Sequence, residues 1–145
     1  MFKKDISIII ADDHPIMLKG LQQELEQAGY NVLATATNGT SALEVIDKYN
    51  PTIAFLDIEM PFLNGFEVVK RFKEIQTKTL FIIMSYHKEQ GFIVQAKKLG
   101  VNGYLLKEDS LQDIELCIQE VINGKLFFSP SFEDNFEALV DAELR

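Results

Sequence analysis

Residues 6–11 (ISIIIA) form a nearly unbroken apolar run rich in β-branched side chains, which suits a strand covered on both faces. Directly after it Pro15 stands at a first helical turn, and Ile16, Leu18, Leu21 and Leu25 recur at helical spacing until Gly29 stops the run. The alternation then repeats along the chain. Strands are predicted over 32–36, 52–56, 80–84 and 103–106, and helices over 41–48, 65–75, 90–99 and 111–122. The third helix carries Phe66, Val69, Phe72 and Ile75 on one face. Strands alternating with helices of this length predict a parallel sheet, because parallel neighbours need right-handed crossovers. The expected fold is α/β, a doubly wound flavodoxin-like (βα)5 domain with five parallel strands in the order 2-1-3-4-5.

After Gly124 the pattern changes, which divides the chain into a domain over 1–124 and a C-terminal segment over 125–145. In that segment Ser131 and Asp134 resemble a capping box, and Phe132, Phe136, Leu139, Val140 and Leu144 fall on one face of a further amphipathic helix. The segment is read as docking on its own domain, pairing with another copy, or opening a linker to an output domain.

Composition bounds the container. With 145 residues, 47% hydrophobic content and no apolar run approaching the roughly 18 residues of a membrane span, one soluble globular domain is expected, with no membrane association. Fourteen basic against 22 acidic residues give a formal charge of −8, which argues against this chain gripping a nucleic-acid backbone by itself. Met1-Phe2-Lys3-Lys4 leads directly into the first strand without the pattern of a secretory signal, so a cytoplasmic location is the expectation. The single cysteine, Cys117, excludes an internal disulfide, fits a reducing compartment, and reads as a helix residue chosen for its size.

The chemistry falls at the strand ends. Asp12 and Asp13 follow the first strand, Asp57 the third, Ser85 the fourth and Lys107 the fifth. Open α/β sheets bind ligands outside the carboxyl ends of their strands where the strand order reverses, here between strands one and three. Carboxylates that close repel one another, and a hard divalent ion such as Mg2+ removes the conflict. A carboxylate beside such an ion can attack phosphorus and form an acyl phosphate, while a hydroxyl and an ammonium hold the transferred oxygens. Singly, the aspartates read as helix caps, Ser85 as a turn residue and Lys107 as solvated. Their joint occurrence in order at successive strand ends points to a site.

These residues lie in segments that resemble the receiver domain of two-component response regulators: IIADDHP over 9–15, FLDIEMP over 55–61 with Asn64-Gly65, IMS over 83–85, and GYLLK over 103–107. The resemblance implies a phosphoacceptor that catalyses its own phosphorylation and slow dephosphorylation, not a conventional enzyme. It implies that Asp57 takes the phosphoryl group from a sensor histidine kinase. It further implies a Mg2+ ion held by Asp13, Asp57 and the backbone carbonyl of Glu59, with Asp12 assisting through water. Ser85 and Lys107 match the switch hydroxyl and the lysine of that family, and Tyr104 matches the switch aromatic. The wording DDHP with LKGL over 18–21, and GKLFFSP over 124–130, resembles the NarL/FixJ branch, whose output is a helix-turn-helix DNA-binding domain. Residues 131–145 are too short and acidic to be that output. DNA contact is therefore assigned to an absent domain, with a receiver working alone as the alternative reading. Phosphorylation-dependent homodimerisation is the expected readout.

Some positions depart from the broader family pattern. Glu108 stands where many receivers place proline after the lysine, and bulky Tyr86 follows the hydroxyl, where it is expected to screen Asp57 partly from water. Glu59 and His87 occupy positions that tune acyl-phosphate lifetime in the family, and are read as solvated side chains rather than an ion pair. His14 is read as a helix-start residue rather than a metal ligand. A haloacid-dehalogenase-type phosphohydrolase is disfavoured because Glu59 stands where its general-acid aspartate is needed. A flavin carrier is disfavoured because Asp12 and Asp13 would repel its phosphate, and a pseudo-receiver because no key position is missing.

Overall fold

The computed structural model describes residues 2–132 and 141–144. After a short 3-10 turn at Lys3–Asp5, strands and helices alternate: β1 (Ser7–Ala11), α1 (Pro15–Gln27), β2 (Asn31–Ala36), α2 (Gly39–Tyr49), β3 (Ile53–Asp57), α3 (Gly65–Glu74), β4 (Leu80–Ser85), α4 (Gln90–Leu99), β5 (Gly103–Leu106) and α5 (Leu111–Ile122). The first five strands lie in the predicted order 2-1-3-4-5, all parallel. One short element is added to these five. A two-residue strand, β6 (Phe127–Phe128), pairs in parallel with β5 and makes the sheet six-stranded. It comes from the C-terminal segment, and it covers backbone groups that an edge strand would leave unpaired.

The continuous apolar runs hide a period of two. Ile9, Ala11, Ala54, Leu56, Phe81, Ile83, Tyr104 and Leu106 point to one side of the sheet, where they bury Phe66, Val69 and Phe72 of α3 and Ile93 and Ala96 of α4. Ile8, Ile10, Phe55, Ile82, Met84 and Leu105 point to the other, against Leu18, Leu21 and Leu25 of α1 and Ile114, Cys117 and Ile118 of α5. Strands covered on both faces cannot show the polar alternation of a half-exposed sheet.

The starts of α2, α3 and α5 follow side-chain capping. Asn38 Oδ1 accepts from Ser41 N at 2.8 Å, Asn64 and Glu67 form a reciprocal capping box, and Ser110 Oγ accepts from Asp113 N at 3.2 Å. The Asn38 cap is why α2 begins at Gly39, two residues before the position that periodicity predicts. Two close approaches fix the loop after β3. A Cβ on Gly65 would stand 2.4 Å from the carbonyl oxygen of Asp57, and one on Gly39 would stand 2.0 Å from that of Leu63. Only glycine lets α3 start directly beneath the end of β3.

The predicted helical face around residues 132–144 falls largely on 133–140, which lie outside the described residues. Asp134, the partner of Ser131 in the proposed capping box, lies there too.

Candidate functional site

The strand register brings the four chemical ends together. Ala11 pairs with Leu56, Asp57 with Met84 and Ser85 with Leu106, and Lys107 N donates to the Ser85 carbonyl at 3.0 Å. Asp12 and Asp57 thus close adjacent strands at the point where the order reverses, with Lys107 one strand beyond Ser85.

Lys107 is the centre of the cluster. Its Nζ stands 2.9 Å from Asp57 Oδ2 and 3.0 Å from Asp12 Oδ2, and its side chain is 1% exposed. The expectation of a solvated lysine, weighed against a functional one, is thereby excluded. Asp57 and Asp12 are themselves buried, while Asp13 is 35% exposed at the mouth. Burial and the neighbouring Asp12 charge push the Asp57 carboxyl from its ordinary 3.8 up to about 6, against the pull of Lys107. Asp12 goes the other way. Burial raises it, but the His14 amide, Lys107 and the His14 ring together hold it below the usual carboxylate value. Lys107 is lifted above its ordinary value because Asp57 and Asp12 outweigh the cost of its burial.

Periodicity gave no sign of the part His14 plays. The residue does precede α1, as expected of a helix-start residue. Its backbone amide donates to Asp12 Oδ1 at 2.8 Å, and that turn folds the imidazole into the cluster. Nδ1 lies 2.8 Å from Asp12, 3.3 Å from Asp13, 3.4 Å from Asp57 and 3.1 Å from Lys107 Nζ. Asp12 raises the imidazole above its ordinary value, with burial opposing.

Potential ligand atoms of Asp12, Asp13, His14 and Asp57 all fall within 4.8 Å of one another. This acidic cluster is typical of the Mg2+ site of receivers, and its chemistry fits a hard cation. Two buried carboxylates share one ammonium, and one of them is driven towards protonation.

A chain of contacts leads from Ser85, beside the cluster, to Tyr104. Ser85, 1% exposed, accepts at Oγ from His87 N at 2.9 Å. The His87 carbonyl accepts from the fully buried Tyr104 hydroxyl at 2.8 Å, and burial pushes that phenol up to about 12. Contrary to the expectation of solvated side chains, Glu59 and His87 form an ion pair between the loops after β3 and β4. His87 also faces Glu89 at 3.5 Å and stacks on Phe92 with ring centroids 4.2 Å apart. A carboxylate at each ring nitrogen raises the imidazole above its ordinary value, Glu59 most. Tyr86 is 61% exposed, and its ring centroid lies 5.1 Å from Lys107 Nζ, beside the site's opening.

The model of the response regulator receiver domain matches residues 8–119. The chain is 32% identical over 131 residues to the transcriptional regulatory protein DesR of Bacillus subtilis, covering 90% of this chain and 65% of that protein. It is 29% identical over 131 residues to the transcriptional regulatory protein DegU of Brevibacillus brevis, covering 90% of this chain and 56% of that protein. The chain therefore spans somewhat more than half the length of these curated relatives. Among solved structures it is similar to the signal receiver domain of the putative response regulator NarL from Mycobacterium tuberculosis. That likeness has a TM-score of 0.80 and 30% identity, over 83% of this chain and 98% of the other. No helix among the described residues is long and apolar enough to cross a membrane.

Proposed function

The chain belongs to the response regulator receiver domain family, and from that premise we propose that Asp57 accepts a phosphoryl group from a sensor histidine kinase. The observation that carries this reading is the Asp57 carboxylate at the sheet's reversal point, buried and 2.9 Å from the Lys107 ammonium. A carboxylate oxygen of Asp57 attacks phosphorus in line, and the P–N bond of the donor phosphohistidine breaks as the P–O bond forms. Lys107 neutralises the transferred oxygens and Ser85 supplies a hydroxyl to one of them. Asp12, Asp13, Asp57 and the Glu59 backbone carbonyl are the groups assigned to Mg2+, which supplies positive charge to the phosphoryl oxygens when bound.

Phosphorylation adds roughly −1.5 to −2 charge at Asp57. Ser85 and Lys107 answer that charge, and Tyr104 is the aromatic through which the β4–α4–β5 side of the domain responds. The proposed readout is homodimerisation that controls a helix-turn-helix output. The −8 charge of this chain leaves DNA contact to residues outside it. A receiver acting alone through protein contacts is the second reading, favoured by the packing of Phe132 and Leu144 on the domain's own core.

Incubation with Mg2+ and a small phosphodonor, followed by intact mass and light scattering, tests the reading. Wild type should gain one phosphate and form a dimer, and Asp57→Asn should do neither. Phosphate gain in both proteins would move the acceptor elsewhere. Tyr86, Glu59 and His87 are assigned to tuning the lifetime of the acyl phosphate. Tyr86→Ala should speed dephosphorylation about tenfold, equivalent to roughly 1.4 kcal/mol of barrier. An unchanged decay rate would remove its screening role.

A further inference from the structure

The His14 ring serves no step of the phosphoryl transfer described above, yet it stands among the carboxylates assigned to the cation. Its place is set by the backbone. The His14 amide donates to Asp12 Oδ1 at 2.8 Å, and Pro15 at the start of α1 restrains the chain on the other side. The imidazole is thereby carried over the edge of the sheet. Nδ1 lies 2.8 Å from Asp12 Oδ1, 3.3 Å from Asp13 Oδ1 and 3.4 Å from Asp57 Oδ2. Oxygens of three residues thus face one ring nitrogen.

A hydrogen bond from a protonated ring accounts for one of these approaches, since one N–H points at one acceptor. Ligation accounts for all three, because neighbouring ligands of an octahedral ion with bonds of about 2.1 Å stand about 3 Å apart. Lys107 sharpens the point. Its Nζ lies 3.1 Å from Nδ1, and an ammonium is attracted only to a nitrogen without its proton. A protonated Nδ1 answers the carboxylates but repels Lys107, and an unprotonated one answers Lys107 but repels the carboxylates unless a cation stands between. Asp12 divides its oxygens accordingly, with Oδ2 turned to Lys107 at 3.0 Å and Oδ1 to the imidazole. Among the described residues, His14 is the basic group within ion-pair distance of Asp13. The side chain is 50% exposed, so Nε2 can keep the ring proton in water while Nδ1 offers its lone pair.

We propose that His14 Nδ1 is a ligand of the cation site beside Asp12, Asp13 and Asp57, and that it gives the site a preference for first-row transition ions, Mn2+ to Zn2+, over Mg2+. The inference rests on the cation assignment made with the phosphoacceptor reading. Mg2+ takes oxygen ligands, whereas imidazole nitrogen suits the borderline ions, and the affinity of a mixed site rises from Mn2+ through Co2+ to Ni2+. His14 therefore acts twice: its backbone starts α1, and its ring selects the ion.

Calorimetric titration of the metal-free full chain with Mg2+, Mn2+ and Ni2+ tests this, together with pulsed electron paramagnetic resonance of the bound Mn2+. Wild type should bind Ni2+ at least about 100-fold more tightly than Mg2+, and the Mn2+ echo should carry the modulation of a directly bound nitrogen. His14→Asn keeps the amide that binds Asp12 and replaces a half-exposed ring, so the fold should survive. The variant should lose about tenfold or more in Ni2+ affinity, less than about twofold in Mg2+ affinity, and all of the nitrogen modulation. His87 is the other of the two histidines, and His87→Asn should keep the modulation. Mn2+ bound to wild type without nitrogen modulation, modulation that only His87→Asn removes, or equal losses of Ni2+ and Mg2+ affinity in His14→Asn would overturn this inference and leave the phosphoacceptor reading standing. Binding of no ion, or binding that Asp57→Asn leaves unchanged, overturns the cation assignment and this inference with it.

Discussion

Replacing Lys107 by methionine is expected to destabilise the metal-free protein by about 3–5 kcal/mol at pH 8, the range for removing one partner from a buried ion pair. Methionine keeps the apolar stem, so the loss is electrostatic rather than a cavity effect. The Lys107 ammonium is shared between Asp57 at 2.9 Å and Asp12 at 3.0 Å, and all three groups are buried. Without it, two carboxylates face each other with the half-exposed His14 ring as the nearest counter-charge. One of them must then take up a proton. Asp57, already pushed up to about 6, is the one that will, and its pKa moves higher still. The sign of the pH dependence follows. An acid whose pKa is higher folded than unfolded costs stability above the folded value and costs nothing below the unfolded one. The deficit of Lys107→Met should therefore shrink on acidification from pH 8 towards pH 5, and Mg2+ should reduce it at pH 8 by supplying the missing positive charge. Urea unfolding across this range measures both. A loss below about 1 kcal/mol that is flat with pH would mean that water, not Lys107, neutralises the acids.

The strand ends were legible in the sequence for the reason that makes Lys107 so costly to remove. Doubly covered strands need continuous apolar runs, so the first charged residue after each run marks the sheet edge. Asp12, Asp57 and Lys107 are marked in this way. What was not legible depends on loops. Glu59 and His87 are 28 positions apart in segments with no periodicity, and their pairing follows from how the β3–α3 and β4–α4 loops close over the site. Two isolated charged residues read more naturally as solvated. The place of the His14 ring in the cluster was hidden for a related reason. A proline at the first helical turn advertises a helix start, and it hides the turn by which the preceding amide binds Asp12. A two-residue strand such as β6 carries too few positions for any pattern. Its place depends on the free edge of β5 and on Asp109 catching Ser129.

Asp57→Asn is expected to make the metal-free protein more stable, by about 1–3 kcal/mol at pH 7.5. The folded carboxyl titrates at about 6 against an ordinary 3.8, a gap of roughly two units at about 1.36 kcal/mol each. The shift is upward, so the penalty is fully present above pH 6, fades between about pH 6 and 4, and is gone below. An amide of the same shape cannot ionise and escapes that penalty, while its oxygen can still accept from Lys107. The two unfolding curves should thus separate above pH 6 and converge below pH 4. Mg2+ should reverse the order. It binds the ionised wild-type site and stabilises it by mass action, but has little hold on the variant, and its affinity for wild type should fall below pH 6 as protons compete. If the variant is the less stable protein at pH 7.5 without metal, the Lys107 attraction outweighs burial and repulsion, and Asp57 is not the strained member of the cluster. If the expected order holds, the ionised carboxylate that lowers stability in the empty site is the group whose charge a cation or phosphoryl transfer would relieve. That would make the instability itself a driving force for the reaction.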